Sequence, residues 1–313
     1  MKTIFQGGNV ISSQVGVFQL VYLAFILCQR SNYGGAIFID NFLSNVTVYY
    51  CSFDRCSTIG SYHGGCMCIR ESNQVKLHSV CFHNASAYQC PGFIIWGHLS
   101  KRIQLSNVNY TSDCYHNRCE LSGSASFSLG QSLVTKTNFS NLYSTHVPGG
   151  GISTGSSQPS VVCEYITFFH VDGNGIAIFY PSGSPEYNEV RFINVISCSS
   201  SSKLFYSFMS NMCIISKSIF VDVSFTSCYL KYSSGNIELY ECYFSNSQSG
   251  IDFSNCMITN CEFESSSTVL SHNYLDSNKC WSSITVAKHT IQNYQPFAFS
   301  HLIFTIFISM MMI

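Results

Sequence analysis

The chain has 313 residues, of which 10% are charged, with 15 Lys and Arg against 16 Asp and Glu and a formal net charge of −1. So few charges exclude a nucleic-acid partner, which needs a basic face, and 46% hydrophobic residues exclude a disordered chain. The polar residues are mostly Ser and Asn, which favours strands and turns over helices.

Residues 15–28 (VGVFQLVYLAFILC) form the first apolar run, preceded by Lys2. The run has the character of a signal-peptide core. It also fits the first unit of a repeat, because Phe18, Leu20, Leu23 and Phe25 fall on offsets that recur along the chain and Gly34-Gly35 follows. The repeat reading is preferred, which leaves no obvious secretion signal ahead of it.

The repeat is marked by an aromatic residue closing a short apolar stretch, at Phe25, Phe53, Phe82, Tyr110, Phe139, Phe168, Phe192, Phe220, Phe244 and Phe263. Successive spacings are 28, 29, 28, 29, 29, 24, 28, 24 and 19. Five residues earlier stand Leu20, Val48, Leu77, Leu105, Val134, Cys163, Tyr187, Ile215, Leu239 and Ile258. The positions seven and two before the aromatic are also mostly apolar, with Pro185 and Tyr187 marking the poorest unit. Alternation with one shift of phase predicts a half-buried strand, a bend and a second strand. A glycine-led stretch recurs between these pairs: Gly34-Gly35-Ala36-Ile37, Gly64-Gly65-Cys66-Met67, Gly92-Phe93, Gly150-Gly151-Ile152 and Gly175-Ile176. Glycine permits a tight corner before a third strand.

About three strands per unit and no helical period predict an all-β fold, a right-handed parallel β-helix of about ten coils over residues 15–291. One coil cannot bury its inward face alone. Stacking coils at about 4.8 Å sets like residues over like and pairs the backbone above and below. A weak further coil runs through Ile284, Val286 and Ile291.

Residues 297–313 (FAFSHLIFTIFISMMMI) carry no formal charge. Their length falls within the usual range for a span and predicts a C-terminal apolar helix that anchors the chain in a membrane. A lipid-anchor attachment signal using Ser282-Ser283, a tail anchor and a helix capping the solenoid are the competing readings.

Seventeen cysteines suit a secreted or surface protein. Cys28, Cys51, Cys56, Cys163, Cys213, Cys242, Cys256 and Cys261 fall on inward places of the repeat and read as buried thiols. Cys66, Cys68, Cys90, Cys114 and Cys119 lie off it and read as the disulfide candidates. The irregular spacing of the Cys pairs does not suit zinc. Asp113, Asp172, Glu186, Glu189, Asp222 and Asp252 occupy different places relative to the repeat, so no carboxylate cluster for glycoside hydrolysis emerges. His78 and His83 are close in sequence but lack a carboxylate or cysteine at catalytic spacing, and read as surface or turn residues. No catalytic residue, metal or cofactor is expected. Glycosylation sequons start at Asn45, Asn84, Asn109 and Asn138.

Gly34-Gly35-Ala36-Ile37, the Phe-closed coils and the frequent Cys together resemble the pectin-lyase-like right-handed β-helix domains of cell-surface proteins. The pattern is similar to the polymorphic outer membrane protein family and to the related surface families of parasitic protists such as trichomonads, over roughly residues 15–291. It departs from them in two ways: the GGAI motif occurs once in full, and its FxxN companion is not repeated in register. The resemblance implies a membrane-anchored cell-surface protein in adhesion, binding a glycan or a host or partner protein, without an established catalytic set. The alternative is a polysaccharide lyase or hydrolase on the same scaffold. Three acidic or basic side chains within about 10 Å in a groove would favour that alternative.

Overall fold

The computed structural model describes residues 3–7, 10–12, 16–41, 44–70, 72–88, 92–96, 102–111, 125–128, 131–144, 152–156, 160–173, 176–183, 187–200, 203–207, 212–225, 227–231, 236–248, 252–253, 256–264 and 270. Among these there is no α-helix, and the strands pair in parallel, each with its equivalents one turn before and after, as a β-solenoid. No helix among the described residues is long and apolar enough to cross a membrane. The segment 297–313 and the weak coil through Ile284, Val286 and Ile291 lie outside them.

One turn shows the plan. Asn45–Tyr49 and Ser52–Asp54 are two strands of the large sheet, Ser57–Thr58 is a short strand of a two-stranded sheet, and Met67–Arg70 belongs to a third sheet. They pair with Val17–Val21, Leu23–Ile26, Gln29–Arg30 and Ile37–Asp40 of the preceding turn. Val46 and Val48 face inward and Asn45, Thr47 and Tyr49 outward, the period of a half-buried strand.

The shift of phase comes from a backbone corner. Tyr22, Tyr50, Ser79, Lys136, Tyr165, Phe192, Lys217, Glu241 and Asn260 all adopt φ between 50° and 55°. Each stands between two strand segments and turns the next inward residue onto the core. Left-handed backbone costs a non-glycine residue about 1–2 kcal/mol. Hydrogen bonds between turns offset it: the Tyr22 and Tyr50 amides donate to the Tyr49 and His78 carbonyls at 3.1 Å, and the Lys217 amide to Tyr240 at 2.9 Å. Glycine takes the same role at Gly34 and Gly64, with φ of 65° and 71°, where an added Cβ would collide with the Ile37 and Met67 carbonyls.

The core is the aromatic ladder. Phe5, Phe25, Phe53 and Phe82 stack at 5.0–5.1 Å, and Phe139–Phe168 and Phe220–Phe244–Phe263 continue the pattern. Phe5 carries the ladder one turn ahead of Phe25, and the strand Thr3–Gln6 pairs with Leu23–Ile26. Within the apolar run, Val17–Val21 and Leu23–Ile26 are strands, and Phe25 and Cys28 are fully buried.

One turn departs from the predicted phase. The ladder partner of Phe168 and Phe220 is Val195, three residues later than Phe192. Cys163 correspondingly pairs with Val190 rather than Tyr187, and Ile152 pairs with Phe179 rather than Ile176. Both segments slip by three because this turn is longer than aromatic spacing implied. Phe192 is a left-handed corner whose ring stacks outside on Tyr165 at 5.1 Å, while Val195 is fully buried. The corrected phase also places Cys198, unassigned in the repeat, on the inward position shared by Cys28 and Cys56.

Candidate functional site

Outward side chains on successive turns are as strictly stacked as the core, so the solenoid builds surface sites from residues one turn apart. The clearest site flanks the three-residue strand Ser52–Asp54. At one end is the corner residue Tyr50, whose ring lies 5.0 Å from Tyr22 with only 6° between planes. Tyr22 is 52% and Tyr50 43% exposed, so this stack faces solvent. His78 of the next turn meets Tyr49 and Tyr50 edge-on at 5.5 Å and 5.9 Å. Burial lowers the pKa of His78 and the Lys136 charge lowers it further, which keeps the imidazole neutral at pH 7. The result is an uncharged aromatic patch on rigid backbone.

At the other end, Asp54, Arg55, His83 and Asn84 line an open pocket of about 360 Å³. His83 Nδ1 lies 2.9 Å from Asp54 Oδ1, and Arg55 Nε donates to Asp54 Oδ2 at 2.8 Å. A carboxylate only accepts, so Nδ1 carries the proton shared with Asp54. Asn84 Nδ2 lies 3.1 Å from the same ring nitrogen. Partial burial pushes the Asp54 carboxyl up, but hydrogen bonds from His83 and Arg55 outweigh this and hold it below the usual range. Asp54 was absent from the carboxylates singled out in the sequence, and His83 was read as lacking a carboxylate partner. The structure corrects both: the two residues sit on one outward ladder, one turn apart. Their 29-residue separation, equal to the spacing of Phe53 and Phe82, was the signal.

Of the carboxylates singled out in the sequence, those among the described residues do not converge with Asp54. Asp172 accepts from Ser199 Oγ at 2.6 Å, and Glu189 joins Glu164 on Arg191. Asp222 is a corner residue and Asp252 is exposed. Asp113 and Glu186 lie outside the described residues.

The sequon asparagines take different places. Asn45 starts a strand and its Oδ1 accepts from Asn73 at 3.1 Å. Asn84 is a corner with φ of 48° beside His83. Backbone register sets Asn109 between Cys81 and Asn138, and Asn138 between Asn109 and Thr167.

Cys28, Cys51, Cys56, Cys163, Cys213 and Cys242 are buried free thiols, and Cys256 and Cys261 are half-buried ones. The thiols of Cys28, Cys51, Cys56, Cys242 and Cys261 reach carbonyls of the preceding turn, as in Cys51 Sγ to Leu20 O at 3.3 Å and Cys242 Sγ to Ile215 O at 3.4 Å. Burial pushes Cys198 and Cys213 up to about 12, so they stay protonated and inert. Cys66 and Cys68, expected as disulfide candidates, are also buried free thiols, with Cys68 covered by Tyr33 and Phe38. Among the described residues, Cys81 is disulfide-bonded. Cys90, Cys114 and Cys119 lie outside the described residues. Among the described residues no three His, Cys, Asp or Glu side chains are grouped to hold a metal ion.

No family model, curated protein or solved structure matches the chain.

Proposed function

We propose that this chain is a membrane-anchored surface protein whose solenoid binds a glycan without turning it over. In this reading the fold is a right-handed β-helix of about ten coils of the pectin-lyase-like type, held at the cell surface through residues 297–313. Asn45, Asn84, Asn109 and Asn138 are its candidate carbohydrate-bearing positions. The observation that carries the reading is the solvent-facing Tyr22–Tyr50 stack with Tyr49 and His78 around it. Tyr rings combine apolar faces with hydroxyl groups and lose little entropy when held. The neighbouring Asp54 and Arg55 supply the acceptor and donors that sugar hydroxyls require. A disulfide at Cys81 suits an extracytoplasmic location. The test is equilibrium binding of the purified chain to a panel of neutral and uronic-acid oligosaccharides, with product analysis of the same mixtures. Saturable binding with unchanged oligosaccharide supports the reading; no binding, or cleavage, overturns it.

A specific observation favours a second reading, a polysaccharide lyase or hydrolase. Asp54, Arg55 and His83 are three ionisable side chains in one open pocket. His83 oriented by Asp54 has the arrangement of a general base, and Arg55 would neutralise a uronate. The pocket supplies a single carboxylate, held ionised, whereas hydrolases of this kind use two, one of them protonated. A His83→Ala variant that loses turnover of a polyuronate would establish this second reading.

A further inference from the structure

A pair of thiols at the far end of the described solenoid has the geometry of a reactive site, independent of the binding face. Cys242 and Cys261 each follow a left-handed corner, Glu241 and Asn260, on successive turns. The strands they lead into pair Tyr243 with Glu262 and Phe244 with Phe263. The Glu262 amide donates to the Cys242 carbonyl at 2.9 Å, so the two cysteines are direct neighbours across the turn. Parallel neighbours lie about 4.8 Å apart at Cα, inside the range of roughly 4.4–6.8 Å that a disulfide spans. Each thiol reaches back to a carbonyl of the preceding turn in the same way, Cys242 Sγ to Ile215 O and Cys261 Sγ to Leu239 O, both at 3.4 Å. Cys242 is fully buried, whereas Cys261 is half-buried and reaches the surface.

The two thiols are not equivalent. The neighbouring Cys242 thiol lowers Cys261 to about 7 despite its partial burial. The Cys261 thiol, followed by burial, raises Cys242. Near pH 7 Cys261 is therefore the thiol that ionises, while Cys242 keeps its proton. This is the division of labour between an attacking and a resolving thiol.

We propose that Cys242 and Cys261 form a redox pair, closed by small-molecule disulfides into a cross-link between successive turns. The Cys261 thiolate attacks one sulfur of a low-molecular-weight disulfide, forming a mixed disulfide and expelling one thiolate, which takes a proton from solvent. Cys242 then gives up its proton and attacks the Cys261 sulfur, releasing the second small thiol. The protein loses two electrons and two protons, and the reagent gains them to become two thiols. Cys28 and Cys56 also stand on successive turns, but both are fully buried and give no reagent access.

The experiment treats the reduced full-length chain with oxidised glutathione at pH 7, alkylates what remains and maps the peptides by mass spectrometry. The expected product is a Cys242–Cys261 link with Cys256 still alkylatable. In Cys242→Ser, Cys261 should retain one glutathione and form no internal link. Serine is native at the equivalent place in Ser218, where its Oγ donates to Ser216 O at 2.7 Å, so this variant keeps the fold. Recovery of Cys242 and Cys261 separately alkylated after oxidation would overturn the proposal. So would iodoacetamide labelling of Cys261 at pH 7 no faster than that of Cys256.

Discussion

Asp54 and His83 lie 29 residues apart in sequence and 2.9 Å apart in space, because one turn of the solenoid separates them. The same geometry joins Glu164 to Arg191 at 2.9 Å. In this fold a polar pair is defined by the turn length and is invisible to any motif written over adjacent residues.

The Asp54 network should stabilise the first turns modestly. Charge-assisted hydrogen bonds are worth about 1.5–3 kcal/mol when enclosed, and partial exposure of His83 reduces this to about 1 kcal/mol. Asp54→Asn should lower the urea midpoint accordingly at pH 7. Asp54 is held below its unfolded value, so its contribution is present above about pH 4 and lost as pH falls through the folded value. The difference between wild type and Asp54→Asn should therefore shrink in melts below pH 4.

His78 has the opposite chemistry with the same direction in pH. Its folded pKa lies below the ordinary value, first through burial and then through Lys136. Between that folded value and about 6.5 the unfolded chain binds more protons, so stability rises with pH across the window and falls on acidification. His78→Gln should lose less stability than wild type between pH 7.5 and pH 5, measured by urea titration at each pH.

The ladder register predicts unequal responses at two neighbouring positions. Val195→Asp puts an unpaired charge into the core and should abolish cooperative unfolding. Phe192→Asn removes an outward ring but gives the left-handed corner a residue that tolerates it, so the change should stay within about 1 kcal/mol. Thermal melts followed by circular dichroism distinguish them; the reverse order would restore Phe192 to the core ladder.

Removing a ring from within the stack should be far more damaging. Phe53 is fully buried between Phe25 and Phe82, and Phe53→Ala should cost about 3–5 kcal/mol. Urea unfolding with an unchanged slope would assign the loss to the cavity.

The core was readable from the chain because burial repeats at fixed offsets: Leu20, Val48, Leu77 and Val134 share one ladder, and Phe25, Phe53 and Phe82 another. The reading failed where identity and position part company. Phe192 is aromatic but sits on a corner, and Val195 takes the inward place with an aliphatic side chain. Corners were missed for a related reason. Left-handed backbone usually announces itself through Gly or Asn, and here Tyr22, Tyr50 and Tyr165 occupy it, supported by bonds to the next turn and by ring stacking. Cys66 and Cys68 looked external because they stand off the Phe-ladder offsets; one packs into the main core and the other under Tyr33 and Phe38.

The aromatic face is the centre of the functional account, and one comparison tests it most directly. Tyr22→Asn/Tyr50→Asn removes both exposed rings while supplying residues suited to their left-handed backbone. Tyr165→Asn/Phe192→Asn does the same to the second outward stack. Oligosaccharide titration of the three folded proteins should show binding weakened at least about tenfold by the first pair of substitutions, a loss of about 1.4 kcal/mol, and unchanged by the second. Wild-type affinity in Tyr22→Asn/Tyr50→Asn would contradict the account.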